Sequence, residues 1–218
     1  VRLVNGRGES VMSGGRVVKN VTGLDLARLM AGSWGTLGVM TELTFKVLPR
    51  PETSLSLSLI GLDEAKAVQA MAMALGSPFE VSGAAHLPIG IDRVATTLLR
   101  LEGFDTSVRI RAGKMQALLQ QFGRAEVIEQ ATSEALWQQV RDARWLADPR
   151  NEAIWRLSVP ADQAANLIAN VGAKRPIRTL LDWGGGLIWL ATPSATLAGS
   201  ELIRAEVAKA KGHAMLVR

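Results

Sequence analysis

The residues of this chain most able to do chemistry are glycines that fall where a predicted helix turns into a predicted strand. Gly32, Gly35 and Gly38 follow an amphipathic run, and a strand-like alternation begins at Val39. Because glycine has no side chain, such a corner leaves backbone N–H and C=O groups uncovered, and main chain alone can bind a phosphate or a flat heterocycle. The alternative is a tight turn that only packs, since glycine corners are common between helices and strands. The residue types by themselves leave both open.

The elements on either side of this corner follow from periodicity. Apolar residues toward one side predict a short helix after Gly23, namely Leu24, Leu26, Leu29 and Met30. Asp25 lies in the first turn, where the helix dipole favours an anion. Alternation from Val39 to Val47 predicts a strand, which Pro49 and Pro51 end.

The order of residues around the corner resembles a family signature. The chain reads Lys19-Asn20-Val21-Thr22-Gly23-Leu24-Asp25-Leu26 and then Gly32-Ser33-Trp34-Gly35-Thr36-Leu37-Gly38-Val39-Met40-Thr41-Glu42. This resembles the KN-x-x-GYDL and GS-x-GTLG-[IV]-[IVLM]-TE segments of FAD-linked 2-hydroxy-acid oxidases of the vanillyl-alcohol-oxidase type, most closely the FAD-binding subunits of bacterial glycolate oxidase. Leu24 stands where the family usually has Tyr, and Trp34 where many members have Glu or Phe. The glycine frame is intact.

The resemblance implies a cofactor, partners and a function. It implies that FAD is bound in the full-length protein by Asn20, Gly23, Gly32, Ser33, Gly35, Thr36, Gly38 and Val39. It implies an FAD-binding subunit of a glycolate or 2-hydroxy-acid oxidase complex, which oxidises the hydroxy acid to the 2-oxo acid through the flavin. Its partners would be flavin D-type and iron–sulfur F-type subunits and a small 2-hydroxy acid. The alternative is a non-catalytic assembly module of that complex that keeps the flavin fold.

The family also predicts a segment that this chain lacks. Members begin with a subdomain whose P-G-G-G-T/S loop wraps the FAD pyrophosphate, and no such loop occurs here. We therefore expect a C-terminal fragment that holds one wall of a flavin site and binds FAD poorly alone. No run of about 18 apolar residues predicts a transmembrane helix. We expect a cytoplasmic protein, peripheral at the inner membrane only through its partners.

The fold expected is α+β, in two parts. Residues 1–50 are expected to be the C-terminal part of an FAD-binding domain, and 51–218 a cap domain of the FAD-linked oxidase C-terminal type. In 51–218 two β-α-β-β-α series follow one another, each in the order of a ferredoxin-like sandwich, which predicts an antiparallel sheet with helices on one face. Leucines at 55, 57 and 59 alternate with serines and predict a half-buried strand.

Composition excludes several classes of site. The absence of cysteine excludes disulfides, thiolate metal sites and cysteine nucleophiles. The net charge of +5 and pI of about 10.1 suggest a nucleic-acid binder as a third hypothesis. However, Lys and Arg are interspersed with Asp and Glu, and no strand interleaves aromatic and basic residues. We expect no nucleic-acid partner.

Candidate catalytic and aromatic residues are few. His86 and His213 each end a predicted strand without a second ligand nearby, so we interpret both as surface or strand-edge residues and expect no metal site. Catalytic relatives in the resembled family carry H-x-G-D-G-N-x-H in a cap hairpin, where this chain has Asp182-Trp183-Gly184-Gly185 and no histidine. We therefore assign no catalytic residue and interpret Asp182 as a turn residue. Among the tryptophans, Trp183, Trp189 and Trp137 are the candidates to face a partner subunit.

Overall fold

The protein divides into two compact units, Val1–Arg50 and Pro51–Arg218. They are described here from a computed structural model, which covers residues 1–15, 24–90, 93–194 and 197–218. Each unit has its own sheet, with three strands in the first and eight in the second.

The first unit is a small antiparallel sheet with one short helix. Its elements are β1 (Arg2–Asn5), β2 (Ser10–Met12), α1 (Leu26–Met30) and β3 (Gly38–Glu42), with strand order β2-β1-β3. The Asn5 carboxamide closes the β1–β2 turn, because its Oδ1 accepts from the backbone N–H groups of Arg7 and Glu9. Asp25 is the N-cap of α1 and accepts from the Arg28 N–H at 3.1 Å.

The strand predicted through Val47 is shorter than its sequence pattern. β3 ends at Glu42, which pairs with Arg2, and residues 43–50 have no regular structure. A strand needs a neighbour for its backbone groups, and no described strand lies opposite 43–47. Phe45 and Val47 are consequently exposed.

The second unit alternates strands and helices. Its elements in chain order are β4 (Thr53–Ile60), α2 (Glu64–Leu75), β5 (Val81–Leu87), β6 (Thr96–Gly103), α3 (Asp105–Leu118), β7 (Glu126–Ile128), α4 (Gln130–Arg141), β8 (Glu152–Ser158), α5 (Ala164–Gly172), β9 (Arg178–Asp182), β10 (Leu187–Pro193), α6 (Ser200–Lys209) and β11 (His213–Leu216). Asp63 caps α2 by accepting from the Lys66 N–H at 2.8 Å, as expected of an aspartate directly before an apolar helix.

The eight strands form one antiparallel sheet in the order β11-β8-β10-β9-β5-β6-β4-β7. Each half of this order, β11-β8-β10-β9 and β5-β6-β4-β7, is the strand order of a ferredoxin-like unit. The halves join at β5 and β9, where His86 pairs with Leu181. The predicted fold class is confirmed.

Helices cover both faces of this sheet. α2, α3, α5 and α6 pack on one face and share a core with leucines of β4 and with Trp155 and Leu157 of β8. α4, which connects the two halves, packs on the opposite face through Leu136, Trp137 and Val140. The sheet is therefore the middle layer of the unit, with helices on both faces rather than on the one face that the sequence predicted.

The serine face of β4 is buried, so the prediction of a half-buried strand is wrong. Ser56 and Ser133 of α4 share a hydrogen bond of 2.7 Å between their hydroxyl oxygens, and the Trp137 Nε1–H donates to Ser56 Oγ at 2.8 Å. Serines that alternate with leucines in a strand usually face solvent. Here α4 covers them and supplies hydrogen-bond partners for the Ser56 hydroxyl.

The local backbone sets the ends of three helices. α3 stops at Leu118 and is followed by a 3₁₀ turn over Gln120–Phe122. α4 ends at Arg141, and Ala143, in a left-handed conformation, separates it from a 3₁₀ turn at Arg144–Leu146. α6 begins at Ser200.

A buried carboxylate links α5 to α6. Glu206 is 4% exposed and accepts from the Lys209 Nζ at 2.8 Å, the Lys174 Nζ at 3.3 Å and the Asn170 Nδ2 at 3.4 Å. The hydrogen bond from Lys209, with that from Lys174, lowers the pKa of the Glu206 carboxyl below its ordinary value of 4.5.

Stability should therefore fall in acid through Glu206. A carboxyl whose folded pKa is depressed stabilises the fold fully above its unfolded pKa, and the contribution is lost as pH falls through the folded pKa. We expect Glu206→Gln to be less stable than wild type near neutrality and the difference to shrink below pH 4.5. Urea unfolding at a series of pH values measures this, and parallel profiles for the two proteins would contradict it.

The second unit should fold by itself. Its two cores are formed entirely by residues of 51–218, whereas Leu3 and Met30 are the buried apolar residues among those described in 1–50. We expect a polypeptide of residues 51–218 to unfold cooperatively in urea without FAD and to resist limited proteolysis. Cleavage spread evenly through the polypeptide would contradict this expectation.

Candidate functional site

The glycine corner between α1 and β3 is open to solvent. Gly32 and Gly35 have φ values of +80° and +75°, and a Cβ built on either would meet nothing within 4 Å. Both residues are exposed, and Trp34 between them is 79% exposed with φ of 55°. A corner that only packs would place side chains of the unit over these glycines. Instead, none of the described residues fills the space above Gly32 and Gly35.

The corner also presents polar groups of the main chain. Among the described residues, no acceptor is found for the backbone N–H groups of Trp34 and Gly35. The turn beneath them is held by the Ser33 carbonyl, which accepts from the Thr36 N–H at 3.0 Å and from the Thr36 hydroxyl at 2.6 Å. The arrangement can therefore donate main-chain hydrogen bonds to an anion or to a carbonyl of a flat ring.

Gly38 and Val39 have a structural role in β3. A Cβ on Gly38 would lie 2.6 Å from the Val4 carbonyl oxygen, so the glycine is required for β1 and β3 to approach each other. Val39 pairs with Val4, and its side chain is exposed. The close approach of β1 and β3 therefore accounts for glycine at position 38, and no bound ligand is needed to explain it.

The remaining predicted cofactor residues, Asn20 and Gly23, lie outside the described residues. The structure therefore brings Gly32, Ser33, Gly35, Thr36, Gly38 and Val39 together on one turn and strand.

A depression of about 250 Å³ lies elsewhere in the first unit. Its lining includes Met12, Ser13, Gly14, Ala27 and Thr44, with the ion pair between Arg2 and Glu42 at 3.2 Å. The described residues of the predicted cofactor site do not line it.

In the second unit, the β9–β10 turn contains Asp182-Trp183-Gly184-Gly185, the segment compared above with the histidine-rich cap hairpin of catalytic relatives. The Asp182 carboxylate accepts from the Trp183 N–H at 2.7 Å, and burial raises the pKa of Asp182. Trp183–Gly185 form a 3₁₀ turn, and Trp183 has φ of 53° and is 60% exposed. Asp182 therefore holds the turn, as the sequence predicts.

Comparison with known proteins identifies relatives of this chain. No protein-family model matches the chain. Over 190 residues it is 36% identical to glycolate oxidase subunit GlcE of Escherichia coli (strain K12), a match that covers 87% of this chain and 47% of GlcE. This chain is a homologue of glycolate oxidase subunit GlcE. It spans about half of GlcE's length. It is also 30% identical over 131 residues to glycolate oxidase subunit GlcD of Bacillus subtilis (strain 168), covering 60% of this chain and 26% of GlcD.

Solved structures support the same relationship at the level of fold. Alkyldihydroxyacetonephosphate synthase matches with a TM-score of 0.65 at 15% identity, over 97% of this chain and 47% of the synthase. The 4-ethylphenol oxidase from Gulosibacter chungangensis matches with a TM-score of 0.63 at 12% identity, over 95% of this chain and 54% of the oxidase. The resemblance to FAD-linked oxidases drawn from residues 19–42 is confirmed for this GlcE homologue.

One of the two histidines in the GlcE homologue is buried, contrary to the expectation from sequence. His86 is 0% exposed, so its interpretation as a surface or strand-edge residue is wrong. Its Nδ1 lies 2.9 Å from Thr97 Oγ1, its Nε2 has no described partner, and burial lowers its pKa to about 4. β5 lies between β9 and β6 in the middle of the sheet, which a chain position at the end of a strand does not reveal. His213 is exposed in β11.

The tryptophans also separate into two kinds. Trp137 is 8% exposed, so its selection as a residue facing a partner is wrong. Trp155 is fully buried, and its Nε1–H donates to the Ala198 carbonyl at 3.0 Å. Trp183 is exposed and lies under the guanidinium of Arg156, 5.3 Å from the ring centre. The sequence did not identify Arg156 as a functional candidate. Alternation in β8 shows that Arg156 and Trp155 lie on opposite faces, but it does not show what contacts either side chain.

Among the described residues, no group of three or more His, Asp or Glu side chains is arranged to hold a metal ion. No described helix is long and apolar enough to cross a membrane.

Proposed function

We propose that this chain is part of an FAD-binding subunit of a 2-hydroxy-acid oxidase complex of the glycolate oxidase type. Residues 1–50 would be the C-terminal part of the FAD-binding domain, and 51–218 the cap. The observation that carries the proposal is the space above Gly32 and Gly35 that no described residue fills, within a glycine-rich segment that resembles the signature of FAD-linked oxidases. The homology to GlcE and GlcD, both named as subunits, supports assembly with other subunits.

The described residues fit a flavin dinucleotide on one side. Gly32 and Gly35 let the ligand approach the main chain, and the N–H groups of Trp34 and Gly35 are available as donors. Ser33 and Thr36 keep the turn in this shape. Asn20 and Gly23 would complete the contact. When bound, FAD supplies an acceptor for the two electrons released when a hydroxy acid becomes a 2-oxo acid.

The alternative function is a non-catalytic assembly module that keeps the flavin fold. The hairpin favours it, since Asp182 binds its own turn and Trp183 is exposed to solvent. In either case we place the protein in the cytoplasm, in contact with the inner membrane only through its flavin and iron–sulfur partner subunits.

Flavin content and reduction separate the two. The full-length protein, purified without partners, is expected to release about one FAD per chain on acid extraction. Anaerobic addition of glycolate or D-lactate should then bleach the flavin absorbance if the subunit is catalytic. A flavin-free protein that still completes an active complex would support the assembly module. A flavin-free protein that joins no complex would contradict both.

A further inference from the structure

β3 forms one edge of the sheet in the first unit. The strand order is β2-β1-β3, so β3 pairs with β1 on one side, and no described strand pairs with it on the other. Natural proteins usually protect such an edge with charges, proline or a covering element. Over residues 39–47 the charged side chains are Glu42 and Lys46, and the first proline is Pro49. The edge of β3 is therefore able to pair with a further strand.

Residues 43–47 continue the alternation of β3 without its pairing. Val39, Leu43, Phe45 and Val47 are separated by even numbers of residues, which places them on one face of an extended strand. We call these four residues the apolar row. They are 49–80% exposed, and the backbone groups of 43–47 have no hydrogen-bond partner among the described residues. The segment has the pattern of a strand but lacks a paired neighbour and an apolar layer over its face.

The first unit buries little apolar surface. Leu3 and Met30 are its buried apolar residues among those described, whereas the second unit has two apolar cores of its own. A small sheet needs further strands or a second layer against its hydrophobic face to be stable by itself. The apolar row is therefore a surface that a larger domain would bury.

The relatives indicate which polypeptide could cover the apolar row. The sequence match covers 87% of this chain but 47% of GlcE, and the structural match covers 97% of this chain but 47% of the synthase. Both proteins therefore carry about as much polypeptide again outside the matched part. A segment of the same polypeptide reaches β3 at a high effective concentration, because it is covalently joined to it, whereas a second copy or another protein must associate from solution.

We propose that polypeptide of the full-length subunit outside residues 1–218 adds a strand to the edge of β3, extends β3 through Val47 and covers the apolar row with its own apolar side chains. The inference rests on the proposed function, since it takes residues 1–50 to be one part of a larger FAD-binding domain. β3 begins at Gly38, directly after the glycine corner. The added strand would thus hold in place the strand on which the corner ends.

Hydroxyl-radical labelling of the full-length protein, purified without partners, tests the cover directly. Phe45 and Phe104 are 75% and 76% exposed, so they form a pair matched in residue type and in exposure. We expect Phe45 to be labelled several-fold less than Phe104 in the full-length protein and equally in a polypeptide of residues 1–218. Amide exchange in 43–47 should be at least about a hundredfold slower in the full-length protein than in that polypeptide, because the added strand accepts and donates hydrogen bonds.

A pair of variants of the full-length protein gives a second readout. Phe45→Ser should lower the urea midpoint, because it removes a side chain that the added polypeptide buries. Phe104→Ser is the matched control. Phe104 is the N-cap residue of α3, where serine is favoured, so this variant should be no less stable than wild type.

Equal labelling of Phe45 and Phe104 in the full-length protein would overturn the inference, and if that protein holds FAD the proposed function stands. Protection of Phe45 in the polypeptide of residues 1–218, or protection that weakens on dilution, would overturn it in favour of residues within 1–218 or a second copy. Protection that disappears when FAD is removed would overturn it in favour of the flavin as the cover. Protection of Phe45 in a protein that binds no FAD would support this inference and contradict flavin binding.

Discussion

Replacing Gly35 by asparagine in the full-length protein is expected to lower its affinity for FAD at least about tenfold, a loss of about 1.4 kcal/mol. The backbone at Gly35 has φ of +75°, which asparagine tolerates better than other residues with a side chain. The new side chain would enter space that the protein leaves empty, so the fold should not change. The measurement is FAD per chain after purification and the Kd from titration of the apoprotein.

Gly61 provides the matched control. It has φ of +77°, a Cβ added to it would meet nothing within 4 Å, and it lies in the second unit. Gly61→Asn should keep wild-type FAD content, and both variants should keep the wild-type thermal midpoint. Equal FAD content in Gly35→Asn and wild type would contradict the placement of flavin at this corner. Gly38 is unsuitable for this test, because the clash with the Val4 carbonyl would disrupt the sheet itself.

Truncating Trp137 is expected to destabilise the protein by about 3–5 kcal/mol, the usual cost of removing a buried tryptophan. Its ring packs against Gly83, where an added Cβ would lie 2.9 Å from the ring, and against the guanidinium of Arg100 at 4.9 Å. Trp137→Ala would open a cavity between α4 and the sheet. Ser56 would keep its bond to Ser133, so the loss reflects packing more than an orphaned hydroxyl. Urea unfolding followed by circular dichroism measures it.

Trp183→Asn is the comparison for this stability prediction. It removes an equally large ring from an exposed position and relieves a strained backbone, so its unfolding free energy should equal or exceed that of wild type. If Trp137→Ala were no less stable than Trp183→Asn, the packing of α4 on the serine face would be wrong.

Local chemistry allowed many elements to be predicted. Asp63 caps α2 where an N-cap residue precedes an apolar run, and Gly184 and Gly185 form the turn between two β-branched and leucine-rich segments. The order of strands and helices indicated two ferredoxin-like units, because each unit is built from neighbours in the chain. Such features depend on residues that are adjacent in the chain, so they can be predicted from the sequence alone.

The errors in predicted burial all concern contacts between distant residues. Ser56 and Trp137 are 81 positions apart, and their hydrogen bond turns an apparently exposed strand face and an apparently exposed indole into core. His86 is buried because the two halves of the sheet join at β5 and β9, 95 positions apart at the paired residues His86 and Leu181. Alternation and residue type do not reveal which second layer will cover a face.

The glycine corner is the part of the candidate site that sequence predicted best, because its order of residues is specific. Geometry separates its members, which sequence could not: Gly32 and Gly35 face open space, whereas Gly38 is needed by its neighbouring strand. Arg156 is the opposite case, since only the structure shows that its guanidinium lies over the Trp183 ring and pairs with no acid among the described residues.

Amide hydrogen exchange in residues 32–39 of the full-length protein, with and without FAD, tests the central claim most directly. The N–H groups of Trp34 and Gly35 are exposed and lack a described acceptor, so they should exchange fast in the apoprotein. On our account, stoichiometric FAD slows their exchange by more than about tenfold, as hydrogen bonds form and solvent is excluded. Exchange in 32–39 that stays fast while FAD is bound elsewhere in the protein would contradict the account.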